Sequence, residues 1–170
     1  VRKRVVKVLR EVCIQQPQFQ HITQVCVALL QRVSDVDGIK ALVVKSFELI
    51  WFSKPEQSAG LSVADALRAR MLTITQVLTS GNTSLRNQAN FQMLLGECLE
   101  SKDKSIKKTC IDMIGAVAEE ILRIEETGSK RCHEKLLACV TCLFAFCRAE
   151  PELLAKHANS LTPYLQLSPT

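Results

Sequence analysis

The sequence has few of the residues that interrupt helices and few aromatic side chains. Glycine occurs 6 times and proline 5 times in 170 residues, and aromatic residues make up only 5% of the chain. Leu, Val, Ile, Ala, Lys, Glu and Gln dominate instead, a composition that favours helix over strand. The hydrophobic content of 47% is enough for a substantial core, and the length suggests one domain.

Long hydrophobic runs and a leader sequence are also missing. The longest apolar run, from Leu136 to Cys147, is too short to span a bilayer, and no secretory signal is present. Val1 is not an initiator Met, and no N-cap residue precedes the first predicted helix. We therefore expect the chain to be a piece of a larger protein.

Charge and cysteine content narrow the class of protein further. The net charge of +5 is mildly basic and lower than expected of a dedicated nucleic-acid domain. Eight cysteines would suggest a disulfide framework in a small secreted protein. Six of them occupy apolar positions of predicted helices, so we interpret them as reduced core residues of an intracellular protein. These six are Cys13, Cys26, Cys98, Cys110, Cys139 and Cys147.

Turn residues divide the chain into about eight predicted helices. The segments are 1–15, 19–32, 39–52, 62–80, 83–100, 103–126, 130–149 and 151–162. Three have clear apolar stripes. The stripes are Ile22, Val25, Cys26, Leu29 and Val33; Ile39, Val43, Phe47 and Ile50; and Ile106, Cys110, Val117, Ile121 and Ile124. Ser62 suits an N-cap and Gly81 a C′ position.

The first predicted helix combines an apolar face with a high density of positive charge. The residues of the predicted apolar face are Val1, Val5, Val8, Leu9 and Val12. Five basic residues occupy most of the remaining surface: Arg2, Lys3, Arg4, Lys7 and Arg10. We expect the apolar face to anchor this helix and the basic face to be offered to solvent.

A pattern from the first helix recurs along the chain. It has an apolar residue, a basic residue next to it, a small or β-branched residue at the fifth position and an apolar residue at the ninth. The copies start at Val1, Ile39, Leu85 and Ile106. The first three starts are 38 and 46 residues apart (39 − 1 and 85 − 39), near the helix-pair period of roughly 40–47 residues in HEAT and armadillo arrays. The fourth copy starts too soon after the third for a full helix pair. It lies on the other helix of its pair, or it matches the pattern by chance.

This spacing predicts the fold class. We expect an all-α superhelix, a HEAT- or armadillo-like solenoid of about eight helices, because each helix pair needs a neighbour to cover its apolar stripe. A four- to eight-helix bundle is the alternative. The predicted organisation is 1–52 for the first repeats, 53–62 for a loop, 63–126 for the middle helices and 130–165 for the last helix pair.

No motif in the sequence predicts catalysis. Cys139 and Cys142 form a C-x-x-C within one predicted helix, but ligands on one straight helix cannot surround a zinc ion. The three histidines are scattered, and surface or capping roles suit them better than a catalytic triad. Phosphate-binding, dinucleotide-binding, zinc-protease and serine-hydrolase motifs are absent from the sequence. We expect no enzymatic activity, no cofactor and no metal.

Basic clusters are the remaining functional signal. Besides the first helix, they are Lys102, Lys104, Lys107 and Lys108, and a weaker group of Lys130, Arg131 and Lys135. Basic residues on adjoining repeats can contact phosphates without reading sequence, whereas an ordinary solvated helix face is the alternative for each cluster. The candidate DNA-binding residues are Arg2, Lys3, Arg4, Lys7, Arg10, Lys104, Lys107 and Lys108.

Several strings, in order, resemble a known family. They are Arg-Lys-Arg-Val-Val-Lys-Val-Leu-Arg-Glu at 2–11, Gly-Ile-Lys at 38–40, Phe-Glu-Leu-Ile-Trp-Phe at 47–52, Leu-Ala-Cys-Val-Thr at 137–141 and Pro-Glu-Leu-Leu-Ala-Lys-His-Ala at 151–158. Together they resemble the Nipped-B-like family of cohesin-loading subunits. The resemblance is strong in 1–52 and 136–165 and weaker across the 53–62 loop and the fifth helix.

The resemblance implies a hook-shaped HEAT-repeat body in the nucleus, on chromatin. It implies a scaffold that engages the ATPase and kleisin subunits of cohesin and, non-specifically, double-stranded DNA. Such a scaffold would promote cohesin loading and sister-chromatid cohesion, and would bind a helical-repeat loader partner through a region outside this chain. The alternative is a generic HEAT or armadillo protein-binding scaffold of the transport or phosphatase type.

Overall fold

The computed structural model describes residues 1–55, 62–101, 103–127 and 132–162. Its α-helices are α1 (Arg2–Gln15), α2 (Ile22–Leu30), α3 (Asp37–Phe47), α4 (Val63–Leu78), α5 (Ser84–Leu99), α6 (Lys104–Thr127), α7 (Cys132–Ala149) and α8 (Ala158–Leu161). A π-helical turn, Glu48–Phe52, continues α3, and 3₁₀ turns form at Gly81–Thr83 and Pro151–His157. Within the described ranges no helix is long and apolar enough to cross a membrane.

The helices stack in two layers. In the first layer α1, α3, α5 and α7 contact one another in chain order. In the second layer α2, α4, α6 and the Pro151–His157 turn do the same, and further contacts join the two layers. Across the described part of the chain, every extensive contact joins elements at most three places apart in helix order. Because such near-neighbour packing is the property of a solenoid, the predicted all-α solenoid is confirmed.

The ends of α4 follow the sequence signals with one adjustment. The Ser62 hydroxyl accepts a hydrogen bond from the Asp65 backbone N–H at 3.1 Å, so the predicted N-cap is confirmed. At the other end α4 stops at Leu78 with Thr79 as its C-cap, which places Gly81 one residue beyond C′. Its φ of +46° explains why glycine stands there. Residues 56–61 of the predicted loop lie outside the described residues.

Two other predicted boundaries were wrong. The helix α2 begins at Ile22 rather than at Phe19, because the residues that follow Pro17 form turns. The last predicted helix is a 3₁₀ turn followed by a single turn of α-helix. In that 3₁₀ turn the buried side chains are the adjacent Leu153 and Leu154, so no apolar stripe of period 3.6 requires a regular helix there.

The predicted apolar stripes form the core. Every residue of the stripes of α3 and α6 is buried, and in the α2 stripe Cys26, Leu29 and Val33 are buried while Ile22 and Val25 are half-buried. Five of the eight aromatic residues meet at the centre of this core. They are Phe47, Trp51, Phe52, Phe91 and Phe146, with ring centroids of neighbouring pairs 4.2–6.5 Å apart. The α3 stripe, α5 and α7 are therefore joined by one aromatic cluster.

The predicted buried face of α1 was wrong. The side chains that pack towards the core are Val6 and Cys13, at 5% and 2% exposure. The residues expected to anchor the helix are mostly exposed: Val1, Val5, Val8 and Val12 lie in solvent, and only Leu9 is partly buried. Because apolar residues occur around most of α1, the packing of α3 against it selects the buried side.

The apolar positions of the recurring pattern are buried in some helices and exposed in others. Its copies in α3 and α6 bury their apolar positions. In α5, however, Leu85, Ala89 and Met93 are all exposed, as are the corresponding valines of α1. The period is still informative, because the first three copies fall on α1, α3 and α5, which are successive helices of one layer. The fourth copy lies on α6, the other helix of its pair.

A buried amide holds the turn between α4 and α5. Asn87 is fully buried, and its Nδ2 donates to the Val77 carbonyl at 2.8 Å and to Thr83 Oγ1 at 3.1 Å. The Gln88 amide also donates to the Leu78 carbonyl, at 3.4 Å. These bonds satisfy carbonyl groups at the C-terminal end of α4 that have no partner within the helix.

We expect Asn87→Ala to lower the free energy of unfolding by about 0.5–1.5 kcal/mol, because the Val77 carbonyl loses the hydrogen bond from Asn87 and keeps only the longer bond from the Ser80 N–H, at 3.4 Å. Urea unfolding followed by circular dichroism at 222 nm measures this loss. Asn82→Ala is the matched control, since Asn82 is exposed in the same turn and should change stability by less than about 0.5 kcal/mol. Equal losses in the two variants would show that the amide bonds contribute nothing.

Candidate nucleic-acid interface

The basic residues at the start of α1 contact the loop before α3. Arg2 Nη1 lies 3.8 Å from Asp35 Oδ2, although the Arg2 side chain is 74% exposed. Lys3 Nζ lies over Gly38, where a Cβ atom would come within 3.0 Å of it. Arg2 therefore helps to position the α2–α3 connection and has part of its charge compensated by Asp35, whereas Lys3 lies against the first turn of α3.

Arg4, Lys7 and Arg10 differ in their exposure to solvent. Arg4 and Lys7 are exposed, and neither forms an ion pair within the described part of the chain. They are three residues apart, so they are neighbours on the helix surface. Arg10 is half-buried, and its Nε is shielded from solvent without a hydrogen-bond partner among the described residues. Of the five candidates on α1, Arg4 and Lys7 are the most available to phosphate.

The second cluster lies in the first turns of α6. Lys104 and Lys108 are exposed. Lys107 Nζ lies 2.7 Å from Glu152 Oε2. This hydrogen bond, together with the opposite charge, raises the pKa of Lys107 and lowers the pKa of Glu152. Lys107 therefore ties α6 to the 3₁₀ turn after α7 and presents less net charge to solvent than its two neighbours.

Acidic groups also stand beside the α6 cluster. The Asp103 carboxylate accepts a hydrogen bond from the Ser105 backbone N–H at 2.9 Å. The pKa of Asp103 is lowered by hydrogen bonding to Ser105 and also by the positive charge of Lys45. Lys45 of α3 therefore lies near this surface. The sequence alone did not predict this, because Lys45 is far from α6 along the chain. Lys45 and Asp103 come close because α6 packs against the Glu48–Phe52 turn that continues α3.

The two basic clusters do not form one patch. The α1 cluster lies at the N-terminal end of α3, where Arg2 reaches Asp35. The α6 cluster lies at the opposite end, where α6 contacts the Glu48–Phe52 turn. The clusters also belong to different layers, α1 to the first and α6 to the second, so a ligand that meets both must reach across the two layers.

Two of the three residues of the third basic cluster and one residue of the second fall outside the described residues. Lys102, Lys130 and Arg131 are among the residues for which no structure is described. Lys135 is exposed on α7. The candidate interface is therefore defined by the basic residues of α1 and α6 alone.

The cysteines of α7 lie in the core. Cys139 and Cys142 are buried, and burial raises the pKa of Cys139 to about 11 and that of Cys142 to about 12. Such thiols are poor nucleophiles and poor metal ligands at neutral pH. In the described ranges, no group of three or more His, Cys, Asp and Glu residues is placed to hold a metal ion.

One face of α7 is apolar and exposed. Leu137, Val140 and Phe144 are 59%, 40% and 54% exposed and follow the i, i+3, i+7 spacing of one helical face. Arg148 lies over the Phe144 ring, 5.9 Å from its centroid. A cluster of large exposed apolar residues of this kind is typical of a protein contact surface.

Comparisons with known proteins identify relatives but no solved fold. The chain is 36% identical to the Nipped-B-like proteins of Mus musculus and Homo sapiens over 174 aligned positions, which cover 97% of this chain. It is 35% identical to Nipped-B-like protein B of Danio rerio over a similar share. The chain spans about 6% of the length of these relatives. No protein-family model matches the chain, and no solved structure matches it.

Proposed function

Because the chain is homologous to one segment of the Nipped-B-like proteins, we propose that it is a non-catalytic, helical-repeat segment of a cohesin loader. In this proposal it works in the nucleus, on chromatin. It forms part of the scaffold that engages the ATPase and kleisin subunits of cohesin together with double-stranded DNA. The homology, which extends over 97% of the chain, is the observation that carries this proposal.

The segment's own contribution to DNA binding would be weak and independent of base sequence. Arg4 and Lys7 on α1 and Lys104 and Lys108 on α6 are exposed, and the two pairs lie on helices of different layers. Lysine and arginine side chains so arranged contact phosphates and release counterions without reading bases. Aromatic residues are scarce near these cations, so base stacking plays no part.

We expect the double variant Arg4→Glu/Lys7→Glu to weaken binding to a fluorescein-labelled 30-base-pair duplex by about 10- to 100-fold at low salt. The slope of log K against log salt should also fall by about 2, since each lost phosphate contact removes about 0.9. Fluorescence anisotropy between 25 and 200 mM KCl measures both quantities. The Lys104→Glu/Lys108→Glu variant tests in the same way whether the basic cluster of α6 binds DNA.

The control variant is Arg86→Glu/Lys135→Glu, which makes the same change of net charge at exposed positions of α5 and α7. If this control loses as much affinity as the α1 variant, binding depends on net charge alone and the assigned interface is wrong. Unchanged binding in both the α1 and the α6 variants would remove DNA contact from the proposal.

A generic protein-binding scaffold is the second candidate function. The exposed apolar face of α7 favours it, because such a face is typical of protein contacts. Cross-linking of the full-length protein in nuclear extract separates the two candidates. Cohesin subunits among the products support the loader segment, whereas transport cargo or phosphatase subunits in their place support the generic scaffold.

A further inference from the structure

A cleft lies where four parts of the fold meet. It has a volume of about 410 Å³ and is formed by the end of α1, the α1–α2 connection, the π-helical turn after α3, and α4. Its walls are largely apolar and include Ile14, Pro17, Ile22 and Leu49. Ile14 and Leu49 are 39% and 42% exposed, so apolar surface is accessible at the cleft. This volume is within the range of pockets that hold small ligands or a few side chains.

The cleft contains a guanidinium group that has no anionic partner among the described residues. Arg70 Nη1 donates to the Trp51 carbonyl at 3.1 Å and also to the Ser53 carbonyl. These bonds hold the side chain against the end of the π-helical turn. Within the described residues Arg70 forms no ion pair, and burial lowers its pKa. A guanidinium has five N–H donors, and both of these hydrogen bonds use Nη1 alone.

The described charged residues that line the cleft are both positive. Lys54 adds a second cation, exposed to solvent, and no acidic side chain of the described residues lines the cleft. A partly desolvated cation without a counter-ion is unfavourable. A carboxylate that enters the cleft would form charge-assisted hydrogen bonds with a guanidinium already held in place, which reduces the entropy lost on binding.

We propose that this cleft binds a protein partner through a short segment that presents one Asp or Glu carboxylate beside a bulky aliphatic side chain. The carboxylate binds Arg70, with Lys54 adding electrostatic attraction. The aliphatic side chain packs against Ile14, Ile22 and Leu49. The site is separate from Arg4 and Lys7, which lie in the other half of α1, so it does not depend on the DNA contacts proposed above.

The test uses a displayed library of random heptapeptides selected against the 170-residue chain. We expect the enriched peptides to share an acidic residue next to Leu, Ile, Val or Met. Synthetic versions should bind with micromolar affinity by fluorescence anisotropy, and replacing their acidic residue by its amide should weaken binding at least tenfold. Enrichment of basic peptides, or no shared pattern, would overturn the proposal.

The location is tested by Ala69→Glu, which places a carboxylate in the cleft at an exposed helical position. This change leaves the Arg70 hydrogen bonds intact, and glutamate is a good helix former. We expect at least a tenfold loss of peptide affinity with an unchanged circular dichroism spectrum. Ala89→Glu, at an exposed position of α5, is the matched control and should bind the peptides normally.

Lys54→Glu provides a second variant at an exposed position, with an expected loss of about threefold to tenfold and a salt-dependent effect. Peptides that bind Ala69→Glu as well as the unmodified chain would overturn the assignment to this cleft. A chain that forms dimers abolished by Ala69→Glu would also overturn it, because a second copy would then be the occupant.

Discussion

Replacing Phe91 by alanine is expected to lower the free energy of unfolding by about 3–5 kcal/mol, the range observed when a fully buried aromatic side chain is truncated. Phe91 is completely buried. Its ring centroid lies 6.1 Å from that of Trp51, 6.5 Å from Phe52 and 5.1 Å from Phe146. The variant therefore loses three aromatic contacts and leaves a cavity where α5 meets the end of α3 and α7.

The single tryptophan makes this loss directly measurable. Trp51 is part of the same cluster, so its fluorescence reports both unfolding in urea and any change in its native surroundings. Phe144→Ala is the matched control because it makes the same chemical change on α7 at a side chain that is 54% exposed. We expect a loss of less than about 1 kcal/mol there. Equal losses at positions 91 and 144 would contradict the placement of the core.

Alkaline pH is expected to destabilise the protein steeply, because its buried thiols resist ionisation. Burial raises the pKa of Cys110 and Cys142 to about 12 and that of Cys139 to about 11. An unfolded thiol ionises near pH 8.5. A raised native pKa gives stability that is fully present below about pH 8.5 and is lost as the pH rises towards the native value. In this pH range each thiol lowers the free energy of unfolding by about 1.4 kcal/mol per pH unit.

Together the three thiols should lower the free energy of unfolding by roughly 4 kcal/mol per pH unit between about pH 9 and 11. Small domains are stable by only about 5–15 kcal/mol, so unfolding near pH 10–11 is expected. Urea titrations at pH 8, 9 and 10 under reducing conditions measure the slope. Burial also raises the pKa of Cys98, so Cys142→Ala should remove about 1.4 kcal/mol per pH unit from a slope to which several thiols contribute. The same slope in the variant and the unmodified chain would show that these thiols are not the cause.

The helices themselves were largely predictable. The stripes of α3 and α6 place apolar residues at helical spacing along one side, and every residue of the stripes is buried. Ser62 and Pro17 also act locally, through a cap and through a turn, so their effects on α4 and α2 can be deduced without knowledge of any neighbour.

The candidate sites were less predictable. Arg4 and Lys7 stand out in the sequence as charge, and the structure leaves both exposed. Arg70 does not stand out in the sequence in this way, because it is one of only two basic residues on α4 and forms no cluster. Its role depends on the carbonyls of Trp51 and Ser53, which belong to a different helical segment. Lys45 and Asp103 likewise come together only because α6 packs against the end of α3.

What the sequence by itself determined is the helical content, the helix-pair period and the buried sides of α3 and α6, since all of these follow from local periodicity. Only the tertiary structure decided which side of α1 is buried and that Leu85, Ala89 and Met93 of α5 face solvent. Both helices carry apolar residues on more than one side. Their orientation therefore depends on the neighbouring helices, which cover Val6 and Cys13 of α1 and leave the valine stripe beside them exposed.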